Sequence, residues 1–172
     1  MDNAAKQELR KKLLASRPQS SQGLTQQLIN ILVETNAKTI ASYSPLPTEP
    51  DVSEFNRLAG SSARVVYPRV SGETLEFAAG EKLAGALGIL EPSGPAVALS
   101  DIELMLVPAL AVDRAGNRLG KGKGFYDRVL DSFRGLRVAV VFDGEIAESV
   151  PHEMHDQRVG MIVTPSQTVV VD

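Results

Sequence analysis

Leu104-Met105-Leu106-Val107-Pro108 opens the stretch that decides the fold, and Gly120-Lys121-Gly122-Lys123-Gly124-Phe125-Tyr126-Asp127-Arg128-Val129-Leu130 closes it. The first part is an apolar run of strand length that stops at proline, and a polar loop follows it. The last part places glycine at alternate positions and turns helix-like from Tyr126. Glycine lets the backbone approach a ligand closely and adopt positive φ. Successive N–H groups can then turn toward one anion, and the helix N-terminus adds its partial positive charge. Arg114, Arg118, Lys121, Lys123 and Arg128 lie in or beside the loop. Cations clustered over such a nest suit a polyphosphate, and Asp127 at its exit can hold a divalent metal riding on it. By itself the segment is equally a surface turn with solvated lysines. Two widespread phosphate motifs are excluded. No glycine begins Gly-x-x-x-x-Gly-Lys-Ser/Thr, and Phe125 stands where a Gly-x-Gly-x-x-Gly run from Gly120 needs its third glycine.

Outward from this loop, strands are expected at Thr39–Tyr43, Arg64–Pro68, Thr74–Ala78, Leu136–Phe142 and Val159–Val163. A first helix, capped by Asp2 or Asn3, carries Ala5, Leu9 and Leu13 on one line and Lys6 and Arg10 on another at the same spacing. Taken alone, two such cations are an ordinary solvated face. Leu24, Leu28, Ile31 and Leu32 mark a second helix that ends before Thr35-Asn36, and Asp51-Val52-Ser53-Glu54 has capping-box spacing for a short one through Leu58. The β-branched runs separated by helices predict a three-layer α/β/α fold, a Rossmann-like, mostly parallel sheet with helices on both faces. Ser44-Pro45-Leu46-Pro47-Thr48-Glu49-Pro50 leaves the C-terminal end of the first strand, where ligands collect in such sheets. Gly80–Ser100, rich in glycine, proline and alanine, reads as a long irregular connection that forms part of a site or its lid.

Size and composition narrow the function. The 172 residues, 43% of them apolar, suit one domain over 1–172. A net charge of −3 argues against a nucleic-acid surface, and the absence of cysteine removes thiolate catalysis, disulfides and cysteine zinc sites. Met1-Asp2-Asn3 begins no signal-peptide pattern, and no apolar run approaches membrane-span length, so a cytoplasmic monomer with no membrane or nucleic-acid partner is expected. In Pro151-His152-Glu153-Met154-His155-Asp156, Asp156 occupies the place of the second histidine of a His-Glu-x-x-His zinc site, so that motif is absent.

The chain resembles the 5-formyltetrahydrofolate cyclo-ligases, also called methenyltetrahydrofolate synthetases. Their signature is Pro-Gly-Leu-Ala-Phe-Asp followed by Gly-x-Arg-Leu-Gly-x-Gly-x-Gly-Tyr-Tyr-Asp. Here Pro108-Ala109-Leu110-Ala111-Val112-Asp113 precedes Gly116-Asn117-Arg118-Leu119-Gly120-Lys121-Gly122-Lys123-Gly124-Phe125-Tyr126-Asp127. Further matches are Lys6 to Arg10, Tyr43, Glu49, Glu91-Pro92 and Val150 to Asp156. Ala109, Val112 and Phe125 depart from the usual glycine, phenylalanine and tyrosine, and Phe125 brings no hydroxyl. The resemblance implies ATP-dependent closure of 5-formyltetrahydrofolate, with or without a polyglutamate tail, to 5,10-methenyltetrahydrofolate. ADP and phosphate are released, with phosphorylation of the formyl oxygen preceding attack by N10. It implies ATP contacts at Lys6, Arg10 and Arg118 through Tyr126 (Leu119, Gly120, Lys121, Gly122, Lys123, Gly124 and Phe125 included). Ser44, Glu49 and the loop from Lys121 to Phe125 would take the folate. Leu87 to Pro92 would line its pocket, and Asp127 with Asp156 would hold Mg2+. Lys123, Arg118 and Lys121 are then the catalytic cations. Two alternatives stay open: another ATP-dependent ligase or kinase on the same fold, and a non-enzymatic nucleotide- or RNA-binding module that stacks bases on Phe125 and Tyr126.

Overall fold

The computed structural model describes residues 2–18, 20–85 and 88–171. Two helices come first, α1 (Asp2–Ala15) and α2 (Leu24–Thr35). β1 (Thr39–Ala41), α3 (Ser53–Ala59) and β2 (Arg64–Ser71) make the first crossover. The short strands β3 (Thr74–Ala78), β4 (Lys82–Ala84), β5 (Leu90–Pro92) and β6 (Ala96–Val97) follow. β7 (Leu104–Pro108) leads through β8 (Ala111–Asp113) and β9 (Arg118–Leu119) into α4 (Phe125–Ser132) and β10 (Leu136–Val140). Then come β11 (Ile146–Ala147), β12 (Met161–Val163) and β13 (Thr168–Val170). Among the described residues no helix is long and apolar enough to cross a membrane.

Among these residues the main sheet has eight strands in the order β13-β12-β10-β7-β1-β2-β3-β6, parallel from β12 to β2 and antiparallel at its margins. The chain steps from β1 outward to β2, then returns past β1 to β7 and continues the other way. A crevice opens where that direction reverses, at the C-terminal ends of β1 and β7. Strand alternation separates the two faces. Ile40, Leu104, Leu106, Val138 and Val140 pack against α2 and α3, whereas Ala41, Met105 and Val107 pack against Val129 and Leu130 of α4. Beyond α4 the second face is covered by a three-stranded sheet, β11-β8-β9, whose Val112 meets Ala139 and Ile162. Leu9 and Leu13 of α1 pack on Leu110, Leu119 and Val150 of that layer. The α/β class, the mostly parallel sheet and helices on both faces are as expected.

Several boundaries differ from expectation for local reasons. β1 stops at Ala41, and Tyr43 turns into the core with its hydroxyl donating to Pro50 O at 3.0 Å. β2 runs on to Ser71 because it forms a hairpin with β3 around Gly72. Val52, not Asp51, is the residue preceding α3. Asp51 accepts the Ser53 N–H at 2.9 Å, and Glu54 pairs with Arg57 instead of closing a capping box. On α1 the Ala5 position is exposed while Lys6 is buried, so the buried face is set by Lys6, Leu9 and Leu13. Asp2 and Asn3 both lie within α1, so neither precedes it as a cap. The stretch 80–100 is not wholly irregular, since β4 pairs with β5 and β6 joins the main sheet. Leu87 lies outside the described residues.

Candidate active site

A cleft of about 600 Å³ occupies the crevice at the reversal point. Tyr43 and Ser44 after β1, Pro108 at the end of β7 and Ala109 just beyond it line this cleft. The wall beside β7 is the glycine loop. Its start is fixed because β9 pairs with β8 and the Leu110 N–H bonds to Leu119 O at 2.8 Å. Its end is fixed because Gly124, at φ 70, precedes the first turn of α4. Between them Gly122 has φ 98, and a Cβ there would stand 3.3 Å from the Arg10 guanidinium carbon. Glycine is thus required both by backbone conformation and by the approach of α1. Arg10 Nε donates to Gly120 O at 2.8 Å, which ties the first helix to the loop.

Three cations of the glycine loop and α1 are held in pairs with carboxylates. Lys6 Nζ lies 2.5 Å from Asp156 Oδ2 and 3.6 Å from Glu153 Oε2. Arg118 donates to Asp127 Oδ1 at 2.6 Å, and Lys121 to Glu49 Oε1 at 2.6 Å. Glu49 Oε2 also accepts the Leu46 N–H at 2.8 Å, so its own loop fixes the carboxylate. Burial alone would raise the Asp156 pKa. The Lys6 ammonium and the Glu153 N–H outweigh it and hold the carboxyl below its usual range. Burial, with Glu49 nearby, pushes the Tyr126 hydroxyl well up, and the same two causes raise Tyr43. Both tyrosines are therefore neutral groups beside the pocket. Arg118 is 7% exposed, and its buried Nε has no hydrogen-bond partner among the described residues. A buried guanidinium donor without a partner carries an uncompensated desolvation cost.

Every residue expected of the phosphate loop, from Arg118 to Asp127, lines this one cleft, as do Lys6, Arg10, Ser44, Glu49 and Asp156. Arg114 and Arg128 do not belong with them. Arg114 borders a separate recess with Asp143 and Glu148, and Arg128 donates to Glu73 O and Lys123 O. Asp127 also accepts the Gln157 N–H at 3.3 Å, so the segment bearing Asp156 lies against the first turn of α4. Ligand atoms of Glu153, His155 and Asp156 fall within 4.8 Å of one another. Carboxylate oxygens beside a phosphate nest are a donor set that fits Mg2+. Glu153 and Arg69 were not singled out from sequence, yet both line the cleft. Glu153 could have been found from its place beside Asp156. Arg69, paired with Glu76 across a hairpin, carries no local signal.

Comparison with known proteins agrees with this geometry. The profile of the 5-formyltetrahydrofolate cyclo-ligase family matches residues 2–165. A 5-formyltetrahydrofolate cyclo-ligase of Mycolicibacterium smegmatis is 32% identical over 153 residues, covering 80% of this chain and 79% of that protein. The Escherichia coli cyclo-ligase is 28% identical over 178 residues, covering 92% and 97%. The structure of Aquifex aeolicus 5,10-methenyltetrahydrofolate synthetase superposes with a TM-score of 0.83 at 30% identity, over 96% of this chain and 92% of that one. With its glycine loop, its paired cations and its parallel sheet in that company, the chain belongs to the 5-formyltetrahydrofolate cyclo-ligase family of ligases.

Proposed function

We propose that this protein converts 5-formyltetrahydrofolate to 5,10-methenyltetrahydrofolate with consumption of ATP and release of ADP and phosphate. The formyl oxygen is an amide oxygen and a poor leaving group, so N10 cannot displace it unaided. Transfer of the γ-phosphoryl group to that oxygen turns it into a phosphate ester. N10 then attacks the same carbon, the C–O bond breaks, the oxygen departs with phosphate, and N10 gives up its proton. Phosphoryl transfer of this kind needs alignment and charge neutralisation more than covalent help from the protein.

The observation that carries this reading is the meeting of the glycine loop, the α1 cations and Glu49 in one cleft at the sheet's reversal point. In it Lys6, Arg10, Arg118, Lys121 and Lys123 hold the phosphates. Among the described residues Lys123 has no carboxylate within salt-bridge distance, unlike Lys121, which leaves it free to follow the transferring group. Asp127 and Asp156 hold Mg2+, which when bound neutralises phosphate charge. Phe125, Ser44 and Glu49 place the folate, Glu49 accepting from pterin N–H groups.

The test is formation of the methenyl chromophore from 5-formyltetrahydrofolate and Mg-ATP, with each component omitted in turn. Product is expected only in the complete mixture. Turnover without nucleotide, or none in the complete mixture, overturns the proposal.

A further inference from the structure

Behind the cleft lies a contact that the proposed chemistry leaves unused. Lys82 Nζ, on β4, donates to Ser44 Oγ at 2.9 Å and stands 3.4 Å from the centre of the Tyr67 ring. Ser44 lines the cleft, and neither Lys82 nor Tyr67 does. The hairpin that carries Lys82 is anchored independently: Lys82 pairs with Pro92, and Arg69 donates to Pro92 O at 3.1 Å. The ammonium is therefore delivered to Ser44 from outside the pocket, steadied by an aromatic face.

An ammonium only donates, and a hydroxyl has a single hydrogen. With Lys82 on a lone pair of Ser44 Oγ, that hydrogen is left to point elsewhere, and the cleft is where Ser44 is open. Glu49, on the same loop, offers the opposite character, a fixed carboxylate that only accepts. A ring presenting N–H donors beside a carbonyl acceptor matches this order of groups, and a pterin has that pattern: its 2-amino and N3–H groups adjoin the 4-oxo group.

Resting on the proposed folate reaction, we infer that Lys82 is a positioning residue that fixes the Ser44 hydroxyl as a donor to the 4-oxo group of the pterin. The pair then acts as a selector for 4-oxo over 4-amino pterins, because the ammonium polarises the hydroxyl toward donating and leaves its remaining lone pair a poorer acceptor for an amino group.

The experiment measures calorimetric binding, without nucleotide, of 5-formyltetrahydrofolate and of its 4-amino-4-deoxy analogue, together with KM and kcat for the former. The wild-type protein is expected to prefer the 4-oxo compound. Lys82→Met and Ser44→Ala should each reduce that preference by about tenfold, the scale of one charge-assisted hydrogen bond. The double variant should lose no more than either single one. KM for the folate should rise more than kcat falls. Lys82→Arg, which keeps a charged donor that stacks on tyrosine, should restore part of the preference. An unchanged preference in Ser44→Ala, or additive losses in the double variant, overturns the inference even if Lys82→Met fails to fold. A wild-type protein that turns over the folate but shows no preference refutes the inference alone. One that neither binds nor turns over the folate refutes the proposed reaction as well.

Discussion

Two sets of ion pairs in this molecule use the same groups to different ends. Away from solvent, Arg17 and Glu145 have side chains 2% and 3% exposed, and both Glu145 oxygens and two of the three Arg17 nitrogens are engaged. Arg17 donates to both Glu145 oxygens at 2.8 and 3.1 Å and to Ala109 O at 2.6 Å, and the Phe142 N–H donates to Glu145 at 2.8 Å. In the cleft, Lys6–Asp156, Arg118–Asp127 and Lys121–Glu49 are open on one side, and Lys121 is 40% exposed. The closed pair can only hold the segment after α1 against the ends of β7 and β10. The open pairs balance charge along the cleft and can exchange partners when an anion or a metal arrives. Burial and unused hydrogen-bonding capacity, not the pairing itself, distinguish a structural ion pair from a functional one.

Breaking the closed pair should have the largest effect. Arg17→Met leaves the Glu145 carboxylate buried without its partner and should cost about 3–5 kcal/mol of stability in urea unfolding. A loss below about 1 kcal/mol would place this pair with the open ones. Lys123→Ala tests the other side of the comparison. Its side chain lies on an exposed part of the loop, so stability should stay within about 0.5 kcal/mol. Its kcat for methenyl formation should fall by about 10²–10³-fold. Lys6→Met sharpens the contrast further, weakening Mg-ATP binding about tenfold as one charge-assisted contact is lost, a change that nucleotide titration would detect.

The strands that form the centre of the sheet were legible because apolar runs such as Leu104–Val107 and Leu136–Val140 carry their own signal. The glycine-loop side of the cleft was legible for a similar reason: its glycines and cations are contiguous in sequence. Strands of two or three residues, such as β8, β9, β11 and β13, are too short to show a period and emerge only from their partners. Arg114 shared the loop's composition but not its place. The antiparallel pairing of Ala111 with Leu119 puts the 114–117 turn at the opposite end from Gly120. Arg17 and Glu145 are 128 positions apart, and Lys82 meets Ser44 across 38, so neither contact leaves a local trace.

The smallest effect concerns pH and lies on the structural side of the comparison. Asp113 is 4% exposed. Burial would raise its pKa, but Asn117 and the Val150, Asn117 and Ala115 N–H groups overcome this and hold it below the usual range. Its folded pKa is thus lower than its unfolded value of about 3.9. The stability it contributes is present above that value and is lost as pH falls through the folded pKa. Asp113→Asn should flatten the dependence of stability on pH across this acid window. A slope identical to wild type would remove Asp113 from the account.

The central claim, that phosphate is joined to the formyl oxygen before the ring closes, is tested most directly with 5-formyltetrahydrofolate labelled with oxygen-18 in the formyl group. A single round of turnover with Mg-ATP should deliver the label to inorganic phosphate, one labelled oxygen for each methenyl product formed. Label released into water, with unlabelled phosphate, would contradict the account.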